Sequence, residues 1–331
     1  MRNEQVPDRN IAMELVRTTE AAALAAARWV GRGDKNSADG AAVAAMRMML
    51  DTVNMDGIIV IGEGVKDEAP MLYNGERIGN GRGPQVDVAV DPLEGTRLTA
   101  QGRPGAVSVI AAAPRGTLFN PLDIFYMEKI AVGPAARGRI DLNAPVAWNI
   151  QQVATAKGIS VQEVTVIILD RDRNTSIADE VRAAGARIRF ITDGDQPAAV
   201  SAAIEGTGVD MMLGIGGSTE GVVAACALKC LEGDFQGRLW ARDDDQIAFA
   251  KEHGLSLTDI LTIDELVKSD DVFFAASGVT TGDLLKGVEY VAGGARSESL
   301  VMRSRSGTIR RIQTEHHWRK LQQIDGVVAH T

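Results

Sequence analysis

Cysteine is nearly missing from this chain of 331 residues. Only Cys226 and Cys230 are present, four positions apart in an alanine-rich helical pattern. Two such thiols make neither a disulfide framework nor a zinc site, and they suit small buried filler in a reducing compartment. Histidine is also scarce, with four residues that include the adjacent His316 and His317. No Cys/His cluster of the kind zinc prefers can be drawn from them. No apolar run is long enough to span a bilayer, and the polar N-terminus lacks a signal-peptide pattern. A cytoplasmic protein with no membrane partner is therefore expected. Basic residues are outnumbered, 35 Lys and Arg against 44 Asp and Glu, which gives a formal net charge of −9. No basic field is available to offset a nucleic-acid backbone, so nucleic acid is excluded as the main partner. An acidic protein that binds an anion must supply positive charge locally, by metal ions or placed arginines. Repeats, low-complexity tracts and long linkers are absent as well.

What is present reads as a soluble enzyme. Apolar content is 45% and charged content 24%, ordinary for a globular protein of this length. Helical patterns cover 11–30, 41–50, 143–156, 177–184, 197–204 and 219–231. Apolar, strand-like runs cover 57–61, 86–90, 107–113, 164–169, 186–191, 209–213 and 272–276. A hairpin is expected over 300–312, around Ser306-Gly307. The alternation predicts an α/β layered fold with mixed sheets, built as one catalytic unit of two lobes. The stretch 133–145 is the best candidate for the division, giving lobes of about 1–140 and 141–331.

The most telling stretch is Asp87-Val88-Ala89-Val90-Asp91-Pro92-Leu93-Glu94-Gly95-Thr96. Pro92 should end the strand, leaving Asp91 and Glu94 together at its carboxyl end. Two carboxylates beside the free amides and hydroxyl of Gly95 and Thr96 suit a hard cation holding a phosphate. Alone, the cluster has a capped turn as its less favoured alternative. Other strand ends repeat it. The run 57–61 leads into Gly62-Glu63-Gly64, and the run 209–213 leads through glycines to Glu220. Asp39 stands just ahead of the helical pattern 41–50. Ligands of open α/β sheets bind outside the carboxyl ends of strands, so acids gathered there form a metal-site candidate. After the run 164–169 come Asp170-Arg171-Asp172-Arg173, and after 186–191 come Thr192-Asp193-Gly194-Asp195. The arginines could grip a phosphate in bidentate fashion, although a solvated charge run reads equally well.

With these residues in place, the chain resembles the class II fructose-1,6-bisphosphatases, a bacterial group that includes fructose/sedoheptulose bisphosphatases. The resemblance rests on Met13-Glu14-Leu15-Val16-Arg17, Ala38-Asp39-Gly40, Ile61-Gly62-Glu63-Gly64 and Asp67-Glu68-Ala69-Pro70-Met71-Leu72. It continues through the Asp91-Pro92-Leu93-Glu94-Gly95-Thr96 run, Lys129-Ile130-Ala131-Val132-Gly133-Pro134, Ile191-Thr192-Asp193-Gly194-Asp195 and Glu220-Gly221-Val222. Val301-Met302-Arg303 and Ser306-Gly307-Thr308 close it. The shorter Asp-Pro-x-acid-Gly-Thr element is shared with the wider lithium-sensitive phosphatase group, including inositol monophosphatases.

The resemblance implies a five-layer αβαβα sandwich with its active site between two lobes. It implies that Asp39 and Glu63 ligate one ion, and that Asp91, Glu94 and Glu220 ligate a second. It implies sugar-bisphosphate contacts from Glu94, Gly95, Thr96, Tyr126, Arg171, Asp172, Arg173, Asp193, Gly194, Asp195 and Gly217. Thr96 would orient the attacking water, which Asp39 and Glu63 help to hold. Oxygen ligands suit Mg²⁺ or Mn²⁺. The expected reaction is hydrolysis of the 1-phosphate of fructose 1,6-bisphosphate, and sedoheptulose 1,7-bisphosphate is a second candidate substrate. A homodimer or homotetramer is implied by the relatives.

Overall fold

The computed structural model describes residues 10–64 and 71–321, so the Asp67–Pro70 part of the quoted motif lies outside the described residues. Two helices open the chain, α1 (Ala12–Ala27) and α2 (Lys35–Leu50). Alanine lets them lie close together, with Ala21, Ala45 and Met49 in one cluster. The start of α2 is set by Asp34, whose side chain accepts from Ser37 N–H at 3.0 Å. Asp39 therefore lies inside the helix rather than ahead of it.

The first sheet contains β1 (Asp56–Ile61), β2 (Arg77–Ile78), β3 (Gln85–Glu94) and β4 (Val107–Pro114). The second holds β5 (Tyr126–Val132), β6 (Thr165–Leu169), β7 (Arg187–Ile191), β8 (Met211–Gly217), β9 (Asp234–Trp240) and β10 (Leu261–Thr262). The chain then returns to the first sheet with β11 (Phe273–Gly278), β12 (Glu289–Val291), β13 (Gly294–Arg303) and β14 (Thr308–His317). Strand order in the first sheet is β13–β11–β4–β3–β1–β2, and β13 also pairs with β12 and β14. In the second it is β10–β9–β5–β8–β6–β7. The chain thus crosses between sheets twice, after Pro114 and before Phe273. The segment 133–145 follows β5, a strand of the second sheet.

Five layers result. Helices α1 and α2 cover the outer face of the first sheet. Between the sheets lie α6 (Asp195–Ala203) and α7 (Ser218–Cys230). Helices α4 (Val146–Lys157) and α5 (Thr175–Ala183) cover the outer face of the second sheet. A short α3 (Thr96–Gln101) follows β3 directly. The central strands β3, β4, β6, β8 and β11 are buried on both faces, which explains their unbroken apolar runs in the sequence. In β4, Val109, Ala111 and Ala113 turn to the middle layer, while Ile110 and Ala112 turn to α1 and α2. Among the described residues no helix is long and apolar enough to cross a membrane.

Two strand ends differ from the sequence reading. Pro92 does not end β3. The pairing with β4 passes from Asp91↔Val109 to Glu94↔Val107 across a bulge, where no ladder bond asks for the missing N–H. The glycines after Leu213 are not a turn either, since β8 continues to Gly217.

Candidate active site

A cavity of about 320 Å³ lies where β1 and β3 end against the middle helices. It is lined by Asp39, Glu63, Asp91, Glu94 and Glu220, drawn from separate parts of the chain. Glu63 follows β1, and its N–H is fixed to the Leu72 carbonyl at 2.9 Å. Asp91 and Glu94 flank the β3 bulge, which turns both into the cavity wall. Glu220 comes from the first turn of α7. Gly217 leaves the room that Glu220 needs, because an added Cβ would collide with its carboxylate. Thr96 is the first residue of α3, reached through Gly95 at φ +86°, a conformation that glycine adopts without strain.

The charge in this cavity is out of balance. Burial raises the Asp39 carboxyl above its usual range. Burial and the Asp39 charge push Glu63 up to about 7. Asp91 is raised by burial and then by the charges of Glu63, Glu220 and Asp39. Glu94 is raised by burial, then by Asp91, Asp195 and Glu220. Burial and Asp195 raise Glu220, against a smaller opposing effect of Lys129. Among the described residues, Glu94 Oε2 is buried with no hydrogen-bond donor. The acids share the cavity, although no three of the described residues close on one coordination point. An all-oxygen donor set with an orphaned buried carboxylate oxygen fits hard divalent cations.

A second cavity of about 370 Å³ shares Glu94, Asp193 and Glu220 with the first. Its other walls include Tyr126, Asp195 and Gly217, together with Arg97, Arg171, Arg173 and Arg242. Arg173 stacks 4.4 Å above the Tyr126 ring and donates to the Ile215 carbonyl at 3.0 Å. Arg171 donates to the Thr192 carbonyl at 2.5 Å, which ties it to the end of β7. Arg97 reaches Asp193 at 3.6 Å, linking α3 to the loop before α6. The first cavity is thus lined by carboxylates with no cation, while in its neighbour four guanidinium groups face Glu94, Asp193, Asp195 and Glu220.

Most residues singled out from sequence meet here. Asp39, Glu63, Asp91, Glu94, Gly95, Thr96, Asp193 and Glu220 line the first cavity. Tyr126, Arg171, Arg173, Asp195 and Gly217 line the second. Two stand apart. Asp172 is exposed on the turn before α5 and lines neither cavity. Gly194 opens instead on a cavity of about 540 Å³ on the far side of Asp193. Asp195 is also more than a surface hydrogen-bonding group, since it is buried and paired with the buried Lys129. Lys129 Nζ donates further to the Gly217 carbonyl at 2.7 Å. Gln196 Nε2 donates to Asp91 Oδ2 at 2.9 Å. The sequence reading missed Gln196, Lys129 and Arg242 as site residues. A lysine opening the short apolar run Ile130-Ala131-Val132 was the available signal for Lys129, whereas Gln196 and Arg242 carry none.

A five-layer sandwich with a carboxylate-lined cavity at the strand ends and a guanidinium-lined one beside it is the arrangement of the α/β-sandwich phosphatases. Sequence comparison narrows the class. The family model described as "Bacterial fructose-1,6-bisphosphatase, glpX-encoded" matches residues 9–316, and the chain belongs to that family of metal-dependent phosphatases. It is 47% identical over 322 residues to "Fructose-1,6-bisphosphatase 1 class 2" of Escherichia coli strain K12, covering 93% of this chain and 96% of the relative. The same identity and coverage hold for "Fructose-1,6-bisphosphatase class 2" of Escherichia coli O6:H1 and of Shigella flexneri.

Proposed function

We propose that this chain hydrolyses the 1-phosphate of fructose 1,6-bisphosphate, giving fructose 6-phosphate and inorganic phosphate. The observation that carries the reading is the convergence of Asp39, Glu63, Asp91, Glu94 and Glu220 on one cavity whose neighbour is lined by four arginines. The family membership and the names of its relatives agree with it. Bound Mg²⁺ or Mn²⁺ would neutralise the phosphate dianion and lower the pKa of water. Asp39 and Glu63 would hold one ion, and Asp91, Glu94 and Glu220 the other. Thr96 orients the attacking water with its hydroxyl. Gln196 steadies Asp91 by the 2.9 Å hydrogen bond. Tyr126, Asp193, Asp195 and Gly217 form the sugar side, while Gly194 stands outside it on the neighbouring cavity. Arg171 and Arg173 take the distal phosphate, while Asp172 stands outside that contact. The two lobes flank the substrate, and a dimer or tetramer working in the cytoplasm completes the proposal. Sedoheptulose 1,7-bisphosphate is the alternative substrate of the same site.

Phosphate release from the two sugar bisphosphates, with and without EDTA, tests the reading. Turnover of fructose 1,6-bisphosphate should vanish on chelation and return with Mn²⁺ or Mg²⁺. Activity that survives thorough EDTA treatment would overturn the metal assignment. A second result is expected from Arg171→Ala combined with Arg173→Ala. The distal phosphate contributes binding rather than bond cleavage, so KM should rise by roughly tenfold or more with kcat nearly unchanged. An unaltered KM in steady-state kinetics would remove these arginines from the distal phosphate.

A further inference from the structure

Glu76 is buried at 9% exposure, yet it lines neither active-site cavity. One of its carboxylate oxygens accepts from Arg47 Nε at 2.5 Å, and the other accepts from the backbone N–H of Leu72. Leu72 is itself unusual. It is fully buried, and its φ of +55° is a left-handed conformation that leucine rarely adopts. Its carbonyl accepts the Glu63 N–H at 2.9 Å. The residue before Glu63 must be glycine, because a Cβ on Gly62 would collide with that same carbonyl. Gly62 N–H is held on its other side by Asn74 Oδ1 at 2.9 Å. Arg47 projects from α2, two turns beyond Asp39. An unbroken series of contacts therefore runs from α2 through Arg47, Glu76 and Leu72 to the backbone of Glu63.

We infer that Glu76 is a positioning residue that holds Leu72 in its strained conformation and thereby fixes Glu63 in register with Asp39. The inference rests on the proposed assignment of Asp39 and Glu63 to one ion. A carboxylate is needed because Glu76 must accept on both oxygens. Glutamine offers one acceptor and one donor, so it would face Arg47 or the Leu72 N–H with the wrong group. Once that hold is lost, Leu72 is free to leave the left-handed region. Its carbonyl then turns away from Glu63.

The test compares wild type, Glu76→Gln and Arg47→Met after EDTA stripping. Mn²⁺ is titrated calorimetrically, and amide hydrogen exchange at Glu63 is followed in the metal-free protein. For Glu76→Gln, the Mn²⁺ affinity should fall by about 10- to 100-fold, the usual cost of losing a supporting partner behind a metal ligand. Exchange at the Glu63 amide should accelerate. Excess Mn²⁺ should restore kcat with KM for the sugar bisphosphate unchanged, an outcome that general loss of stability would not produce. Arg47→Met should move both readouts in the same direction and serves alone if Glu76→Gln does not fold. Mn²⁺ isotherms and Glu63 exchange that overlay those of wild type would overturn the inference, whatever the change in melting temperature. If wild type showed no saturable Mn²⁺ binding, the metal-site reading would fall instead, and Glu63 exchange would still decide the role of Glu76.

Discussion

Asp91→Asn and Glu94→Gln should each lower kcat by at least about a thousandfold, because each removes a charged oxygen from the reacting cavity. The fold should survive both. In EDTA the variants should even melt at a higher temperature than wild type. Asp91 is half-buried and Glu94 buried among other acids, and both have their ionised forms disfavoured by burial and by their neighbours. A neutral amide of the same shape relieves the repulsion. In Asp91→Asn the amide oxygen can still accept the hydrogen bond that Gln196 now donates to the carboxylate. Parallel measurement of phosphate release and of thermal melting checks both halves. A variant that kept substantial turnover would remove its residue from the metal site. A variant that lost activity only because it unfolded would show it in the melting curve.

The metal-free protein should lose stability as the pH rises from about 5 to 8, the reverse of an ordinary acid denaturation. Glu63 moves from a usual 4.5 to about 7 in the folded chain. The folded state therefore holds this proton more tightly than the unfolded state does. Its stabilising effect is complete below about 4.5 and is lost as the pH passes through 7. For Glu63 alone the loss amounts to at most roughly 3 kcal/mol, since the side chain retains some solvent contact. Asp39, Asp91, Glu94 and Glu220 all shift in the same direction and deepen the effect. Urea unfolding of EDTA-treated protein at pH 5 and pH 8 measures it. Mn²⁺ at a hundred times its Kd should return about 2.7 kcal/mol at pH 8 by mass action. Stability that stayed flat or rose over this range would mean that the acids do not confront one another in solution.

Much of this was legible in the residues, for identifiable reasons. The strands 107–113 and 164–169 announce themselves because both of their faces are covered, so each is a continuous apolar run. The acids were legible because they follow such runs directly. Misreadings occurred where a local rule met a tertiary exception. Pro92 looks like a terminator, but it falls in a bulge that needs no donor. Gly216 and Gly217 look like a turn, but they are strand residues kept small. A Cβ on Gly216 would strike Asp195, and one on Gly217 would strike Glu220. That crowding comes from helices packed against the strand, which no local pattern records. β5 and β9 were not read as strands for a related reason. Glu128, Lys129, Arg238 and the glycine Gly237 interrupt their apolar alternation, and each is accounted for only across the sheet. Arg238 pairs with Glu128 at 2.7 Å, Lys129 with Asp195, and Gly237 makes way for Met127. Gln196 acquires its role only once α6 is docked beside Asp91.

The return of the chain to the first sheet bears on how the protein is made. β4 lies next to β11 in that sheet, although β4 ends at Pro114 and β11 begins only at Phe273. A growing polypeptide at the ribosome will have emitted all five acids well before Phe273 emerges. Until then β4 presents an open edge, and the layer beneath α1 and α2 is incomplete. Pairings this distant form slowly, because a long loop must close before any contact rewards it. Assembly of the acid-lined cavity is therefore tied to translation past β11, and a product terminated before Phe273 would carry the five acids without the frame that brings them together.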